Sequence, residues 1–309
     1  MKLLRFNYVE YNEPIYSLNT FSVMEIMNFT NRSQAKKATG LSYLGGVNIS
    51  AKIEKNKKIN VKTYVIYLAP ANLSGYNTCS HSTPECRMGC LNTSGRAGME
   101  QLAGKTKTAD CRNKKSALLF EQTNFFMQWL VAEIQAQKEL AYKKGFAFSV
   151  RLNGTSDIDW ANIRVNGKTI FEIFSTTEFY DYTKSPLKFK NKPKNYHLTM
   201  SYTGRNWQVC EMLLQQGENV AVIFDVKKET DLPKEFRGYR VINGDETDYR
   251  IADPKGVIVG LKWKKIANKE VNDYVRNSCF VVKPQKINGF ITYNVEQTVE
   301  TKINKTVLV

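Results

Sequence analysis

The chain has 309 residues, and its 45 Lys and Arg against 29 Asp and Glu give a formal net charge of +16. Hydrophobic residues make up 42% and aromatic residues 12% of the chain, which excludes intrinsic disorder as its overall state. No apolar run is long enough for a transmembrane helix, and the first residues lack the apolar stretch of a signal peptide. We therefore expect a folded, cytoplasmic protein without membrane contacts.

The excess of positive charge predicts an anionic partner, and nucleic acid is the most common one. Lysines are concentrated at Lys55–Lys58, Lys184–Lys194 and Lys262–Lys265. The remaining lysines are scattered along the chain, as they are on a merely solvated surface. The charge by itself leaves both interpretations open.

The N-terminal part of the chain predicts two strands before a long helix. A short helix is expected to begin at Val23–Met27. Val47–Ile53 and Val61–Leu68 are rich in β-branched residues and flank a basic turn, which predicts a hairpin-like pair of strands. Apolar residues at helical spacing over Lys114–Lys144 predict one long helix, which Gly145 ends.

Beyond this helix, short apolar strands alternate with helices or loops. The predicted strands are Phe146–Leu152, Glu178–Tyr182, Tyr196–Tyr202, Val220–Val226, Tyr239–Ile242 and Gly256–Lys262. Helices are predicted at Ile170–Phe174 and Trp207–Gln216. Such alternation is typical of parallel sheets, and neither a G-x-G-x-x-G nor a P-loop motif follows a strand.

The sequence therefore predicts an α/β fold, a partial (β/α) barrel of about six to seven mostly parallel strands. We assign residues 61–265 to this barrel with its cysteine loop. Residues 1–60 form an N-terminal extension packed on the barrel, and residues 266–309 form a C-terminal extension.

Three of the six cysteines lie close together, with the spacing C-x6-C-x3-C at Cys79, Cys86 and Cys90. Thiolates spaced this closely in a reducing compartment usually bind a metal. A [4Fe–4S] cluster could take these three thiolates and leave one iron free. Zinc is the alternative, with His81 or Cys111 as a fourth ligand. A third alternative is that the loop binds no metal.

Polar side chains follow the predicted strands, where the reactive groups of parallel α/β folds collect. These residues are Asn153, Gly154, Ser156 and Asp157 after one strand, Tyr180, Asp181 and Lys184 at the next, Ser201 and Tyr202 at the end of a third, and Asp245 after a later one. Loops are polar in any protein, so their position alone assigns no role. The chain has only His81 and His197, and His197 is expected to be a core or barrel-lining residue.

A cysteine loop after the first strand of a partial barrel resembles the layout of radical S-adenosylmethionine enzymes, which usually space their cysteines C-x3-C-x2-C. The resemblance implies a [4Fe–4S] cluster on Cys79, Cys86 and Cys90, S-adenosylmethionine at its free iron, and a reductant as partner. It assigns Asn153, Gly154, Ser156 and Asp157 to the amino group of S-adenosylmethionine, Ser201, Tyr202 and Asp245 to ribose or substrate, and Tyr180, Asp181 and Lys184 to substrate or a radical relay.

Further segments carry a second resemblance. They are Asn77–Cys90, Gly95–Arg96, Arg151–Ile158, Tyr180–Lys184, Tyr196–Tyr202, Val241–Asp245 and Asp253–Leu261. Together they resemble the phage gene product 88 domain family over roughly residues 40–265. This resemblance implies a phage protein in the host cytoplasm and a barrel, and it assigns no reaction.

These observations predict a radical S-adenosylmethionine-like iron–sulfur enzyme of phage origin that acts on a nucleotide or nucleic acid. The alternative is a zinc-stabilised nucleic-acid-binding protein without catalytic activity. A third possibility is an accessory protein that retains the barrel without the chemistry. Iron with acid-labile sulfide would support the first function, and stoichiometric zinc would support the second.

Overall fold

Parallel strands dominate the computed structural model, which describes residues 28–47, 50–90, 98–100, 103–287 and 290–293. The strands are β1 (Gly45–Val47), β2 (Val61–Ile66), β3 (Ala147–Arg151), β4 (Arg164–Val165), β5 (Lys168–Thr169), β6 (Glu178–Thr183), β7 (Tyr196–Ser201), β8 (Asn219–Phe224), β9 (Glu235–Phe236), β10 (Tyr239–Asn243), β11 (Ile258–Lys262), β12 (Gln285–Ile287) and β13 (Phe290–Thr292). β4 pairs with β5 and β12 with β13 as separate antiparallel pairs.

The other strands form one nine-stranded sheet in the order β1-β2-β3-β6-β7-β8-β11-β10-β9. All strands from β2 to β10 in this order run parallel, and the short edge strands β1 and β9 pair antiparallel with their neighbours. The predicted α/β fold with a mostly parallel sheet is confirmed. No closed barrel is found among the described residues, and the partial barrel and the division at residues 61 and 265 stay predictions.

Helices connect the parallel strands and cover one face of the sheet. They are α1 (Arg32–Thr39), α2 (Ala51–Glu54), α3 (Pro84–Met88), α4 (Lys107–Glu121), α5 (Thr123–Lys143), α6 (Ile170–Ile173), α7 (Leu187–Lys190), α8 (Trp207–Gln215) and α9 (Lys269–Asn277). α5 contacts β1, β2 and β3, and α8 contacts β7 and β8. Within the described part of the chain, no helix has the length and apolar character needed to cross a membrane.

The predicted strand Val47–Ile53 is wrong over most of its length. β1 ends at Val47, and α2 begins at Ala51 because the Ser50 side chain caps it by accepting a hydrogen bond from the backbone N–H of Ile53 (3.4 Å). The strand that does form pairs antiparallel with β2, as a hairpin would. The helix predicted to begin at Val23–Met27 lies outside the described residues.

The predicted single helix over Lys114–Lys144 is two helices, α4 and α5. They are separated at Gln122, whose backbone leaves the helical region with φ −133° and ψ 53°. The Thr123 hydroxyl donates to the Leu119 carbonyl across this break (2.7 Å). The helix end predicted at Gly145 is confirmed, because this glycine has φ +71°, in the left-handed region.

The two faces of the sheet differ in chemistry because successive side chains of a strand point to opposite sides. On the helix-covered face, Ile66 of β2 and Val150 of β3 are fully buried in the same apolar cluster as Leu130 of α5. On the other face, Thr63 of β2 and Ser149 of β3 share a hydrogen bond at 2.8 Å. The second face is therefore polar and yet buried.

The loop after β10 lies over this polar face. Arg151 of β3 donates to the carboxylate of Asp248, which belongs to this loop, at 2.9 and 3.2 Å. Four strands lie between β3 and β10 in the sheet order. The turn Arg250–Ala252 of the same loop contacts β6 and β7. The loop therefore reaches from β10 across the polar face towards β3.

Truncation of the core under the sheet should destabilise the protein. Replacing Leu130, which is 0% exposed, by Ala should lower the free energy of unfolding by about 2–5 kcal/mol. Leu140→Ala on the same helix is the control, because Leu140 is 43% exposed and should cost about 0.5 kcal/mol or less. Urea denaturation measures both, and equal losses would contradict this packing.

Candidate functional site

The carboxyl ends of the parallel strands surround a cavity of about 220 Å³. The residues from the sequence prediction that line it are Cys79, Cys86, Cys90, Asn153, Gly154, Ser156, Asp157, Lys184, Ser201, Tyr202 and Asp245. All three predicted metal ligands and all predicted cofactor-binding residues thus meet in one cavity. Parallel α/β sheets place their ligand sites at this edge.

Two of the predicted catalytic residues do not line the cavity. Tyr180 is fully buried and donates its hydroxyl proton to Asp248 at 3.0 Å. Asp181 is also fully buried and accepts hydrogen bonds from the Asn153 backbone N–H (2.8 Å) and the Tyr196 hydroxyl (2.9 Å). Because protein groups occupy their polar atoms, these side chains support the wall of the cavity. Only Lys184 of the predicted catalytic set reaches the cavity.

Hydrogen bonds attach the first cysteine to the turn that follows β3. The Thr78 hydroxyl donates to the Ala69 carbonyl (2.6 Å), and the Thr78 carbonyl accepts from the Asp157 N–H (2.8 Å). Cys79 comes next in the chain, with its Sγ 3.9 Å from the Thr155 carbonyl oxygen. The backbone on both sides of the cavity therefore fixes the position of this thiol.

The second cysteine lies in the short helix α3. Thr83 is its N-cap and accepts a hydrogen bond from the Cys86 N–H (3.2 Å), and Pro84 occupies the first turn. The buried carboxylate of Glu85 pairs with Arg205, in the loop after β7, at 2.8 Å. α3 is thereby held against the end of a strand distant from it in sequence.

The thiols lie in a buried environment that contains a cation. Burial raises the pKa of Cys79, and the nearby Asp157 and Cys86 raise it further. Burial alone would lower the pKa of Lys184, but Cys86 and Asp157 beside it raise this pKa above its ordinary value. Lys184 therefore stabilises negative charge on the neighbouring sulfur.

The cavity thiols do not form a site for a single metal ion. Among the described residues, no group of three or more His, Cys, Asp or Glu side chains is arranged to hold one. Zinc requires its thiolate ligands about 2.3 Å from the ion. His81 is exposed beside the Ser80 hydroxyl (3.0 Å), and Cys111 lies on α4 beside Lys115, so neither lines the cavity.

The turn after β3 is held together by Asn153. Its side-chain carbonyl oxygen accepts from the Ser156 hydroxyl (2.9 Å), the Ile158 N–H (2.9 Å) and the Trp160 indole (3.1 Å). At Gly154 a Cβ would lie 2.5 Å from the Ile66 carbonyl oxygen, so only glycine fits. The Asn153 side chain thus shapes the turn at the wall of the cavity.

An ion cluster around Asp248 lies beneath the cavity. Besides Arg151, the Lys52 ammonium of α2 lies 3.4 Å from the Asp248 carboxylate. The backbone N–H of Asp248 donates to the Asn56 side-chain oxygen at 2.9 Å. Burial by itself would raise the pKa of Asp248, but Arg151 and Lys52 hold it below its ordinary value. Sequence reasoning missed Lys52, because no local pattern links it to residues near 248.

Residues from the C-terminal side complete the cavity. Its lining includes Trp263 after β11 and Phe280 after α9. Phe280 belongs to an apolar cluster with Val275 of α9, and Trp263 packs against this cluster together with Cys86 and Met88 of α3. Cys279 is half-buried in the loop after α9. His197 was expected to be a core or barrel-lining residue, and its side chain is 42% exposed and pairs with Glu178 at 2.8 Å.

Removing the central carboxylate should strongly destabilise the fold. Asp248→Asn leaves Arg151 and Lys52 without their buried counter-charge, and we expect a loss of about 3–5 kcal/mol in the free energy of unfolding. Adding Arg151→Gln should cost less than the sum of the two single variants. The exposed pair Lys269–Asp273 is the control, whose double-variant cycle should show little coupling. Additive losses at Asp248 and Arg151 would contradict the buried pair.

Asp181 should make stability depend on pH. Burial raises its pKa to about 7 from its ordinary value of 3.8. The folded chain therefore binds more protons than the unfolded chain between about pH 4 and pH 7, so this contribution to stability falls as pH rises through that window. The difference in free energy of unfolding between wild type and Asp181→Asn should decrease accordingly. A difference that is constant with pH would contradict this.

Comparison with known proteins gives one match. The chain matches the Gene product 88 family over residues 27–278, a range that contains the cysteine loop, the turn after β3 and the whole nine-stranded sheet. No curated protein and no solved structure matches it. None of these comparisons supports the resemblance to radical S-adenosylmethionine enzymes. Since the match covers most of its length, the chain belongs to the Gene product 88 family of phage proteins.

Proposed function

We propose that this protein is a radical S-adenosylmethionine-like iron–sulfur enzyme that acts on a nucleotide or nucleic acid. In this proposal Cys79, Cys86 and Cys90 hold a [4Fe–4S] cluster, and S-adenosylmethionine occupies the same cavity. The observation that carries it is that all three thiols line one cavity at the carboxyl edge of a parallel sheet. The strands from β2 to β10 in the sheet order all run parallel, as they do in a partial (β/α) barrel.

The donor set fits a cluster better than a single ion. In a cluster each thiolate binds its own iron, so the three sulfurs need not converge on one point. This agrees with the thiols lining one cavity without forming a single-ion group among the described residues. Lys184 beside Cys86 supplies positive charge against an anionic cluster. When bound, the cluster would supply one electron to the sulfonium of S-adenosylmethionine.

The rest of the lining fits an organic ligand. Three buried polar atoms of lining residues have no hydrogen-bond partner among the described residues: Arg151 Nε, the Tyr182 hydroxyl and the Trp263 indole N–H. Buried polar groups are normally paired, so these atoms fit a ligand that completes their hydrogen bonds. Ile223, Leu261 and other apolar side chains form the remaining surface, which excludes water from the bound group.

The charge of the chain supports an anionic substrate. The net charge is +16, and lysines reach the wall of the cavity itself as well as the outer surface. Steering of an anion by such a field raises its association rate at low ionic strength. This supports a nucleotide or nucleic acid as the substrate.

Anaerobic reconstitution with iron and sulfide tests the metal. The protein should take up iron and acid-labile sulfide and give the absorption and EPR signals of a [4Fe–4S] cluster. Replacing Cys79, Cys86 and Cys90 together by Ser should abolish them. Cys210→Ala is the matched control, because this cysteine lies on the buried side of α8 and does not line the cavity.

The activity is tested with S-adenosylmethionine and dithionite. The reconstituted protein should release 5′-deoxyadenosine only when the reductant is present, and the triple cysteine variant should release none. Stoichiometric zinc without sulfide, or a cluster signal that survives in the triple variant, would overturn the proposal.

A further inference from the structure

A group of basic residues forms a part of the cavity wall, and of these Lys184 lies beside the thiols of the proposed cluster. Five cationic side chains line the cavity against two carboxylates, Asp157 and Asp245. The cations are Lys52, Arg151, Lys184, Lys262 and Lys264. Lys184 lies beside the thiols, whereas Lys52 and Lys264 approach Asp245. Further carboxylates lie behind this wall, where Asp248 pairs with Arg151 and Lys52, and Glu229 lies 3.7 Å from Lys262.

The Asp245 carboxylate lies near Lys52 and Lys264 but accepts no hydrogen bond from their ammonium groups. Its Oδ2 accepts the backbone N–H of Lys262 at 2.8 Å. Its Oδ1 lies 4.0 Å from the Lys52 ammonium and 3.8 Å from the Lys264 ammonium. Both separations exceed hydrogen-bonding distance, so the ammonium protons on that side remain available to a ligand. The sequence predicted that Asp245 contacts ribose or substrate. A carboxylate placed among lysines in this way is less suited to bind ribose.

The lysines also repel one another. Burial lowers the pKa of Lys264, and the positive charge of Lys52 lowers it further. Lys52 itself is only 19% exposed, so water screens this repulsion incompletely. An anion bound between the two ammonium groups would relieve the repulsion.

Two buried donors lie next to these lysines. Arg151 is 7% exposed, and its Nε has no hydrogen-bond partner among the described residues. The Tyr182 hydroxyl is likewise buried without a partner. The Tyr182 ring lies near both Lys52 and Arg151, because its centre is 5.5 Å from Lys52 Nζ and 5.0 Å from the guanidinium carbon of Arg151. The wall thus combines flexible cations with fixed neutral and charged donors.

We propose that Lys52, Lys264, Arg151 and Tyr182 form a binding site for the phosphate group of the substrate, which is a phosphate monoester such as a nucleotide. A phosphate presents several acceptor oxygens with about −1.5 to −2 charge at pH 7, which matches clustered cationic donors. As a statement about the substrate this rests on the proposed function, but phosphate binding itself requires no cluster. Lys262 contributes its backbone through Asp245, while its ammonium lies 3.7 Å from Glu229.

Thermal denaturation with inorganic phosphate tests this site without assuming a base or sugar. Phosphate should raise the Tm of the wild-type protein above that in sodium chloride of equal ionic strength, because a ligand of the folded state stabilises it. In Lys264→Gln the apparent Kd for phosphate should rise about tenfold or more. Lys264 is 45% exposed, so this variant retains the fold. Lys269→Gln, at a lysine that is 87% exposed on α9, should bind phosphate as the wild type does.

Two outcomes would overturn the phosphate site: no shift beyond that of chloride, or equal phosphate affinity in wild type and Lys264→Gln. The triple cysteine variant separates the two proposals. If it keeps the phosphate-dependent shift without forming a cluster, the phosphate site stands independently of the iron–sulfur chemistry. A protein that forms the cluster but shows no phosphate effect would leave the proposed function intact and refute this inference alone.

Discussion

The buried contact between Asp248 and Arg151 is the constraint on which the shape of the cavity depends. Asp248 also meets Lys52 and the Tyr180 hydroxyl, so one carboxylate joins the segment before β2, β3, β6 and the loop after β10. β2, β3 and β6 are neighbours in the sheet order, whereas β10 lies near the other end, so the loop after β10 reaches across the polar face to meet them. A buried carboxylate is costly to desolvate, and here two cations and a hydroxyl offset that cost.

Loops close the cavity at the carboxyl ends of the strands. The Asp157 N–H bonds to the Thr78 carbonyl, which ties the cysteine loop to the turn after β3. The ion pair between Glu85 and Arg205 holds α3 to the end of β7, and the segment around Phe280 packs beneath it. The cysteine loop and α3 within it are therefore attached both to the turn after β3 and to the end of β7. A site that must orient a reactive ligand needs this kind of support.

The cavity places thiol sulfurs and the ammonium groups of lysines next to one another. Lys184 beside Cys86 favours charge on sulfur, while Lys52 and Lys264 around Asp245 favour an anion bound from outside. In a site shielded from water both interactions are stronger than at the surface. A metal cluster and a phosphorylated substrate could therefore share the cavity, each facing its own set of side chains.

By itself the sequence determined the parallel strands and the residues at their carboxyl ends. β8 is a continuous apolar run because it is buried on both faces. Ser201 ends a strand, and Asn153 and Asp245 follow strands, whose positions the pattern located. The cysteine spacing identified the loop that lines the cavity. These features are local, so their signals lie within a few residues of chain.

Only the tertiary structure decided which polar residues face the cavity. Tyr180 and Asp181 have the same sequence signal as Lys184, yet contacts with Asp248 and Asn153 turn them into supports of the wall. Lys52 meets Asp248 because the loop after β10 lies over the polar face of the sheet. The split between α4 and α5 depends on one backbone conformation at Gln122. Contacts between residues nearly two hundred positions apart depend on how the loops lie over the sheet, which no short pattern of residues encodes.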